Sequence, residues 1–257
     1  VAITADGQVT YTPHLETSGE QTFAYTMSDG RGGTATGQVT VGVDASNIII
    51  GTDASERFDQ TAADQGMAIM AEGGHDKVVG SAFADTIDGG AGQNVLQGGD
   101  GDDWFLYDAD NALDSVDGGL GHDTIRGTVG DDTIGLTALT SIETIDGVDE
   151  VDRLVGGGGR ETFDLSATDL VSGEEIDGGG GADIIIGSAG DDVIRGGAHW
   201  DTLSGGAGDD TFLMADESGY DAVDGGEGMD TIQGTDGDDL FGLDSFQNIE
   251  RIDAGDG

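Results

Sequence analysis

From residue 47 onward, one large apolar residue recurs at a nearly constant spacing between polar and glycine-rich stretches. The spacing is 9 residues at most steps, 11 at five steps and 13 at one step. A lone apolar residue between polar neighbours is typical of a short strand that buries one side chain, so the pattern predicts a series of three-residue strands. The series comprises Ile49, Phe58, Ile69, Val78, Ile87, Leu96, Phe105, Val116, Ile125, Ile134, Ile145, Leu154, Phe163, Ile176, Ile185, Ile194, Leu203, Phe212, Val223, Ile232, Phe241 and Ile252.

An internal repeat of this length predicts a solenoid, in which each unit packs only against its neighbours. Two short strands fit in one turn, so the 22 apolar positions predict about 11 turns and two facing parallel sheets. We therefore expect an all-β fold, with a parallel β-roll over residues 47–257. The alternative is a set of separate repeat blocks joined by loops.

Residues 1–43 follow a different pattern, with β-forming residues alternating along 7–12, 21–27 and 37–41. This alternation predicts three strands of an antiparallel sheet. Three strands amount to about half of a β-sandwich, so we expect a partial antiparallel β-sandwich ahead of the roll.

The composition is strongly acidic, with 53 acidic and 8 basic residues and a net charge of −45. Such a charge repels nucleic acid and anionic lipid, and no apolar run reaches the ~18 residues of a membrane span. The apolar residues Leu, Ile, Val and Phe make up about a fifth of the chain, which places it near the limit for folding unaided. With no cysteine there is no disulfide, so another crosslink has to order the 50 glycines. Metal ions are the obvious candidate.

The turns carry a nine-residue unit, clearest at 178–186 (GGGGADIII), 205–213 (GGAGDDTFL) and 225–233 (GGEGMDTIQ). Numbering the unit 1 to 9 puts glycine at positions 1, 2 and 4, aspartate at position 6 and the apolar residue at position 8. Glycine tolerates φ > 0, and carbonyl and carboxylate oxygens are the ligands that Ca²⁺ prefers. Position-6 carboxylates in Gly-rich turns are therefore candidate calcium ligands: Asp85, Asp103, Asp123, Asp132, Asp183, Asp192, Asp201, Asp210, Asp230 and Asp239.

A bound ion would also touch the next turn on the same side, so ligands are expected to pair between alternate units. This pairing adds Asp114 and Asp221 as candidate ligands, through the pairs Asp114 with Asp132 and Asp221 with Asp239. Turns that depart from the motif are expected to be mostly empty, namely those with Met67, Asn94, Glu143, Glu161, Glu174 or Glu250 at position 6 and the glycine-poor turn at Asp152.

The repeated unit resembles the RTX, or haemolysin-type, calcium-binding nonapeptide. Residues 6–13 and 23–41 resemble the closing half of the cadherin-like, immunoglobulin-type repeats of large bacterial surface proteins. The first resemblance implies a parallel β-roll that binds several Ca²⁺ ions in its turns, in a protein exported by a type I system.

A longer repeat underlies the nonapeptides, because 118–127 (GGLGHDTIRG) recurs as 225–234 (GGEGMDTIQG), 107 residues later. Residues 141–146 (SIETID) recur as 248–253 (NIERID) at the same offset. One copy contains an odd number of strands, so an unbroken roll would place the equivalent Ile125 and Ile232 in opposite sheets.

We expect a non-enzymatic structural or adhesive module of a large secreted or cell-surface protein, which folds on binding calcium outside the cell. The alternative is the RTX tail of an exported protease, lipase or polysaccharide-modifying enzyme whose catalytic domain is not in this sequence. A sugar- or ice-binding module is a third, weaker alternative. Trp104, Tyr107, Trp200 and Tyr220 could stack on surface or matrix polysaccharide, although the pattern favours outward-facing surface aromatics without a ligand. Self-association is a further candidate interaction, whereas nucleic-acid binding and membrane insertion are not expected.

Overall fold

A computed structural model of the chain describes residues 2–3, 9–10, 19–28, 34–43, 47–107, 113–148, 152–171, 175–214, 219–234 and 242–254. The chain divides into two compact units, Val1–Ile48 and Ile49–Gly257. The elements that make up both units in the described part of the chain are β-strands.

The first unit consists of antiparallel strand pairs. Strand β1 (Ala2–Ile3) pairs with β2 (Val9–Thr10), and β3 (Gly19–Ser28) pairs with β4 (Thr34–Val43) along its whole length. Strands β2, β3 and β4 coincide with the three predicted strands. The Gly-rich connection at 29–33 lies outside the described residues.

The second unit is a solenoid of parallel strands with about nine turns. A seven-stranded sheet contains β5 (Ile48–Thr52), β7 (Ala68–Glu72), β9 (Thr86–Asp88), β11 (Trp104–Leu106), β13 (Thr124–Arg126), β15 (Thr144–Asp146) and β18 (Asp169–Leu170). An eleven-stranded sheet contains β6 (Arg57–Asp59), β8 (Lys77–Val79), β10 (Val95–Asp100), β12 (Asp114–Leu120), β14 (Thr133–Thr140), β16 (Arg153–Val155), β19 (Glu175–Asp177), β21 (Val193–Arg195), β23 (Thr211–Leu213), β25 (Thr231–Gln233) and β27 (Arg251–Asp253). A five-stranded sheet contains β17 (Thr162–Asp164), β20 (Ile184–Ile186), β22 (Thr202–Ala207), β24 (Asp221–Glu227) and β26 (Leu243–Gln247).

The predicted apolar series forms the core of the roll. From Ile69 to Ile232, every member of the series is buried, and most are fully inaccessible to solvent. Ile49 and Phe58 are partly buried against the same cluster, Ile252 is half exposed, and Phe241 lies outside the described residues. The prediction of one buried side chain per short strand is therefore confirmed, and a single hydrophobic cluster runs along the solenoid.

The regular alternation of two strands per turn is interrupted between β14 and β18. The first part of β14 pairs with β16 (Ile134↔Leu154), whereas its second part pairs with β12 (Leu139↔Val116). Beyond it, β15 pairs with β18 and not with β17, which begins the five-stranded sheet. The prediction of 11 regular turns with two continuous sheets is therefore wrong at this junction. The eleven-stranded sheet continues through the junction, whereas the facing sheet is divided into the seven-stranded and the five-stranded sheets.

The 107-residue repeat is also a structural repeat. A register shift occurs between Asp114 and Ser115 in β12, and the same shift occurs between Asp221 and Ala222 in β24. Ile125 lies in the seven-stranded sheet and Ile232 in the eleven-stranded sheet. The two copies therefore place equivalent residues in different sheets, as the sequence predicted.

The backbone of the turns has a recurrent conformation at two positions. Glycines at positions 2 and 4 have positive φ in most turns, for example Gly206 (109°) and Gly208 (124°). Some residues other than glycine share it, namely Glu72 (70°) and Val148 (86°) in position 2 and His199 (94°) in position 4, whereas serine or threonine in position 2 does not. Residues with a Cβ that adopt positive φ do so at a cost.

This strain predicts that His199→Gly stabilises the chain by about 1 kcal/mol, since glycine reaches positive φ without a Cβ clash and the ring is exposed. For a unit of this size, the melting temperature should rise by about 2–4 °C. Thermal melts in saturating calcium measure the change. His199→Ala is the matched control: it removes the ring and keeps the Cβ, so it should give no gain, and an equal gain in both variants would show that the ring and not the backbone is responsible.

Candidate calcium sites in the turns

The position-6 side chains lie in rows along the edges of the roll, one above the other. The candidate ligands in the described part are all buried: Asp85, Asp103, Asp114, Asp123, Asp132, Asp183, Asp192, Asp201, Asp210, Asp221 and Asp230. Asp239 lies outside the described residues. The position of each carboxylate follows from the strand after it, because the buried residue at position 8 holds position 6 at the start of the strand.

Most of these carboxylates accept a hydrogen bond from the turn before them on the same side. The Oδ1 atom of Asp103 accepts from the backbone N–H of Asp85 at 2.7 Å, and Oδ1 of Asp123 accepts from Asp103 N–H at 2.8 Å. In the second copy, Oδ1 of Asp210 accepts from Asp192 N–H and Oδ1 of Asp230 accepts from Asp210 N–H, both at 2.9 Å. These rows of bonds link alternate turns, as the same-side pairing predicted for these residues.

The other oxygen of most of these carboxylates is buried and has no hydrogen-bond partner among the described residues. This group comprises Oδ2 of Asp76, Asp103, Asp123, Asp183, Asp201, Asp210, Asp221 and Asp230, together with Oε2 of Glu161. A buried anionic oxygen without a partner loses its hydration and gains nothing in exchange. Each of these oxygens therefore requires a positive partner or a proton.

The glycine at position 1 makes room for that oxygen. A Cβ on Gly178 would lie 2.8 Å from Oδ2 of Asp183 and 2.5 Å from the carbonyl oxygen of Gly196 in the next turn on the same side. Gly98 and Gly205 face the equivalent pair of oxygens in their own turns. Position 1 does not have positive φ at these glycines. The expected reason for this glycine was therefore wrong: it is needed for the close approach of oxygen atoms and not for a left-handed backbone.

These oxygens fit a calcium ion in their chemistry. A carboxylate oxygen and a backbone carbonyl from the next turn border the same small space, and hard oxygen ligands of both kinds suit Ca²⁺. No cluster of three or more His, Asp or Glu side chains capable of holding a metal occurs among the described residues. Backbone carbonyls must therefore supply a large share of any coordination, and the glycine-rich turns expose them.

Three candidate carboxylates are satisfied by a serine or threonine of their own turn. Where position 2 is serine or threonine, its N–H and hydroxyl donate back to the position-6 side chain. Ser81 binds Asp85 with distances of 2.6 and 3.0 Å, and Ser188 binds Asp192 with distances of 2.6 and 2.9 Å. Thr128 holds Asp132 in the same way. Both oxygens of these carboxylates have donors, which sets them apart from the unpartnered group.

The rows extend beyond the turns that match the motif. Asp152 is fully buried and accepts from Asp132 N–H at 2.7 Å, although its turn keeps glycine only at position 1. Asp132 is bonded to Asp152 and not to Asp114, because β14 changes partner at the junction. The predicted pair of Asp114 and Asp132 is therefore not formed. The turn with Glu174 at position 6 lies outside the described residues.

Asp76 was missed by the sequence analysis. Its side chain is buried and accepts from Glu56 N–H at 2.6 Å, like the other members of the rows. The signal was present, because Asp76 stands two residues before Val78, in position 6. The lack of glycine at positions 1 and 2 of that turn obscured it.

The ion-free carboxylates have a raised affinity for protons. Burial, the largest cause, raises the pKa of Asp103 and of Asp221 to about 7. It also raises the pKa of Asp201 and of Asp210 to about 6. The backbone N–H bonds oppose this rise, while neighbouring carboxylates in the row add to it. In the absence of a cation, these side chains therefore take up protons near neutral pH.

A parallel roll with such turns defines a calcium-binding β-roll, and comparison with known families agrees. The RTX calcium-binding nonapeptide repeat matches residues 70–105, 79–112, 106–134, 177–212 and 218–241. A bacterial Ig domain matches residues 1–42. The chain therefore carries RTX calcium-binding repeats after a bacterial Ig domain, and the roll is a calcium-binding module of the RTX type. A search of curated proteins finds no match to the chain. In the part that the structure describes, no helix is long and apolar enough to cross a membrane.

The raised pKa values predict opposite effects of pH without and with calcium. Between pH 4 and 7 the folded ion-free chain binds more protons than the unfolded chain, so its stability should fall as pH rises through this window. Calcium requires the deprotonated carboxylates, so the calcium concentration at half-saturation should be higher at pH 5.5 than at pH 7.5. Circular dichroism in chelator and calcium titrations at both pH values measure these effects.

Asp221→Asn provides the control, because it removes one titrating group and should weaken the pH dependence in chelator. An ion-free chain that becomes more stable from pH 5 to pH 7.5 would contradict the prediction.

Proposed function

We propose that this chain is a structural module whose roll folds on calcium, with the ions lying between same-side turns at the unpartnered carboxylate oxygens. The observation that carries the proposal is the row of buried oxygens without donors. At Asp103, Asp183 and Asp210 a glycine carbonyl of the following turn borders the same space, and at Asp123 and Asp230 the carbonyl is that of Ser141 or Asn248. Asp103, Asp123, Asp183, Asp201, Asp210, Asp221 and Asp230 are the proposed ligands among the original candidates. Four original candidates are not proposed as ligands because protein donors already reach both of their oxygens: Asp85, Asp114, Asp132 and Asp192.

Charge explains why the ion would control folding. With a net charge of −45 the chain repels itself, and burial of a row of carboxylates adds a desolvation penalty to the free energy of folding. Each Ca²⁺ brings two positive charges to the buried oxygens, so binding free energy becomes folding free energy. A low calcium concentration inside the exporting cell would keep the chain extended, and a high one outside would fold it.

We further propose that the module is non-enzymatic and belongs to a large secreted or cell-surface protein with an adhesive role. In the sequence, a bacterial Ig domain and not a catalytic domain directly precedes the roll, which supports this assignment over the tail of an exported enzyme. The exposed rings of Trp200 and Tyr220 lie edge to face with their centroids 6.0 Å apart, a surface that suits contact with polysaccharide. Tyr107 does not contribute to such a surface, because it is buried.

The test of calcium-dependent folding is far-UV circular dichroism of the chain in chelator and in millimolar Ca²⁺. At pH 7.5, where the buried carboxylates are deprotonated, we expect little β-structure from the roll in chelator and full β-structure with calcium. Magnesium should be a poor substitute, since it demands tight octahedral coordination and gives up its waters reluctantly. Identical spectra in chelator and calcium would contradict the proposal.

Two variants locate the effect in the proposed ligands. Asp210→Asn replaces a carboxylate that has an unpartnered oxygen, and should raise the calcium concentration at the folding midpoint about tenfold, the shift expected for a loss of ~1.4 kcal/mol. Asp85→Asn replaces a carboxylate whose oxygens already have donors, and should leave the number of bound ions unchanged. Equal effects of both variants on ion binding would show that the unpartnered oxygen is not the ligand.

A further inference from the structure

The two copies of the 107-residue repeat contain a matched pair of turns that differ at position 6. Residues 89–94 read GGAGQN and residues 196–201 read GGAHWD. Both turns have positive φ at positions 2 and 4, and both position-6 side chains are 2% exposed. Backbone and burial are thus the same. The first turn carries an amide, Asn94, where the second carries a carboxylate, Asp201.

The amide of Asn94 points at the carbonyl oxygens of its own turn. Its Nδ2 atom donates to the carbonyls of Gly89 at 3.0 Å, Gly90 at 3.2 Å and Gly92 at 3.3 Å. Its Oδ1 atom accepts from Asp76 N–H at 2.9 Å, which is the bond that position 6 makes throughout the rows. The side chain therefore keeps its place in the row and presents a donor, in place of an unpartnered oxygen, to the carbonyls of the turn.

The next turn on the same edge also differs between the copies: its carboxylate has a protein donor in the first copy and none in the second. In the first copy, the buried hydroxyl of Tyr107 donates to Oδ2 of Asp114 at 3.2 Å. In the second copy, the residue equivalent to Tyr107 is Met214, which has no donor. The carboxylate equivalent to Asp114 is Asp221, whose Oδ2 has no hydrogen-bond partner among the described residues. Two protein donors in the first copy thus stand where the second copy has two unpartnered oxygens.

We propose that the Asn94 amide and the Tyr107 hydroxyl take the place of a calcium ion on this edge of the first copy, so that the turn at residues 89–94 holds no ion while the turn at 196–201 holds one. A cation entering the first turn would have to displace the amide hydrogens from three carbonyls, and would find no carboxylate at position 6. The family match spans residues 70–112 and so includes this turn; the side chain, and not the glycine pattern, decides its occupancy.

This inference rests on the proposed function, in which calcium lies in such turns. It adds that the two copies bind different numbers of ions on equivalent edges. It also identifies the residues responsible, so each copy can be converted to the other.

The experiment counts the calcium ions bound by the full chain at saturation, by native mass spectrometry, in the parent and in swapped variants. The double variant Asn94→Asp with Tyr107→Met copies the second repeat into the first, and should bind one more ion than the parent. Asp201→Asn copies the first repeat into the second, and should bind one fewer while remaining folded, because Asn94 shows that the amide fits this turn. Asn94→Ala is the control: it removes the amide without adding a carboxylate, and should gain no ion.

An unchanged count in both Asn94→Asp with Tyr107→Met and Asp201→Asn would overturn the inference. If the double variant does not fold, Asp201→Asn alone decides, and an unchanged count there overturns the inference. A calcium ion found in the turn at 89–94 of the parent, in a crystal grown with calcium, would also overturn it. A parent chain that binds no calcium would defeat the proposed function itself, whereas a parent that binds calcium with unaltered counts in the variants would defeat only this inference.

Discussion

The buried carboxylate at position 6 is the constraint on which the rest of the roll depends. One of its oxygens accepts the N–H of the turn before it, as Asp103 does from Asp85, and so links successive turns along an edge. The other oxygen of Asp103 is buried beside the carbonyl of Gly118 and has no hydrogen-bond partner among the described residues. Because an isolated buried charge is costly, the stack of turns is incomplete until a cation, a proton or a protein donor reaches that oxygen.

The same constraint explains the composition of the turns. Glycine at positions 2 and 4 provides the positive φ that brings the carbonyls inward, and glycine at position 1 leaves room for the carboxylate oxygen. Most of the short strands of the roll bury one large side chain each, and only a few other large side chains, such as Leu136 and Leu165, join them, so its hydrophobic core is thin. A thin core and a charge of −45 make stability depend on what occupies the turns, which is the property expected of a module that folds on binding metal ions.

Periodicity was sufficient to predict the core, because a strand with one inward position has to place a large apolar residue there, as at Ile87 or Phe212. It could not predict the junction, where β14 changes sheet partner within a single strand, since that depends on packing between distant turns. Nor could the motif distinguish carboxylates that have internal donors, such as Asp85, from those that lack them, such as Asp103. That distinction depends on the hydroxyl at position 2, which occupies a place that the motif assigns to glycine.

The most direct test of the central claim is the anomalous scattering of calcium in crystals of the chain grown with the ion. The account predicts ions next to Oδ2 of Asp210 and the carbonyl oxygen of Gly225, and at the equivalent oxygens of Asp103 and Gly118. It predicts none at Asp85, whose oxygens already have donors. Ions bound only to the exposed carboxylates of the turns, with the buried oxygens left without a cation, would contradict it.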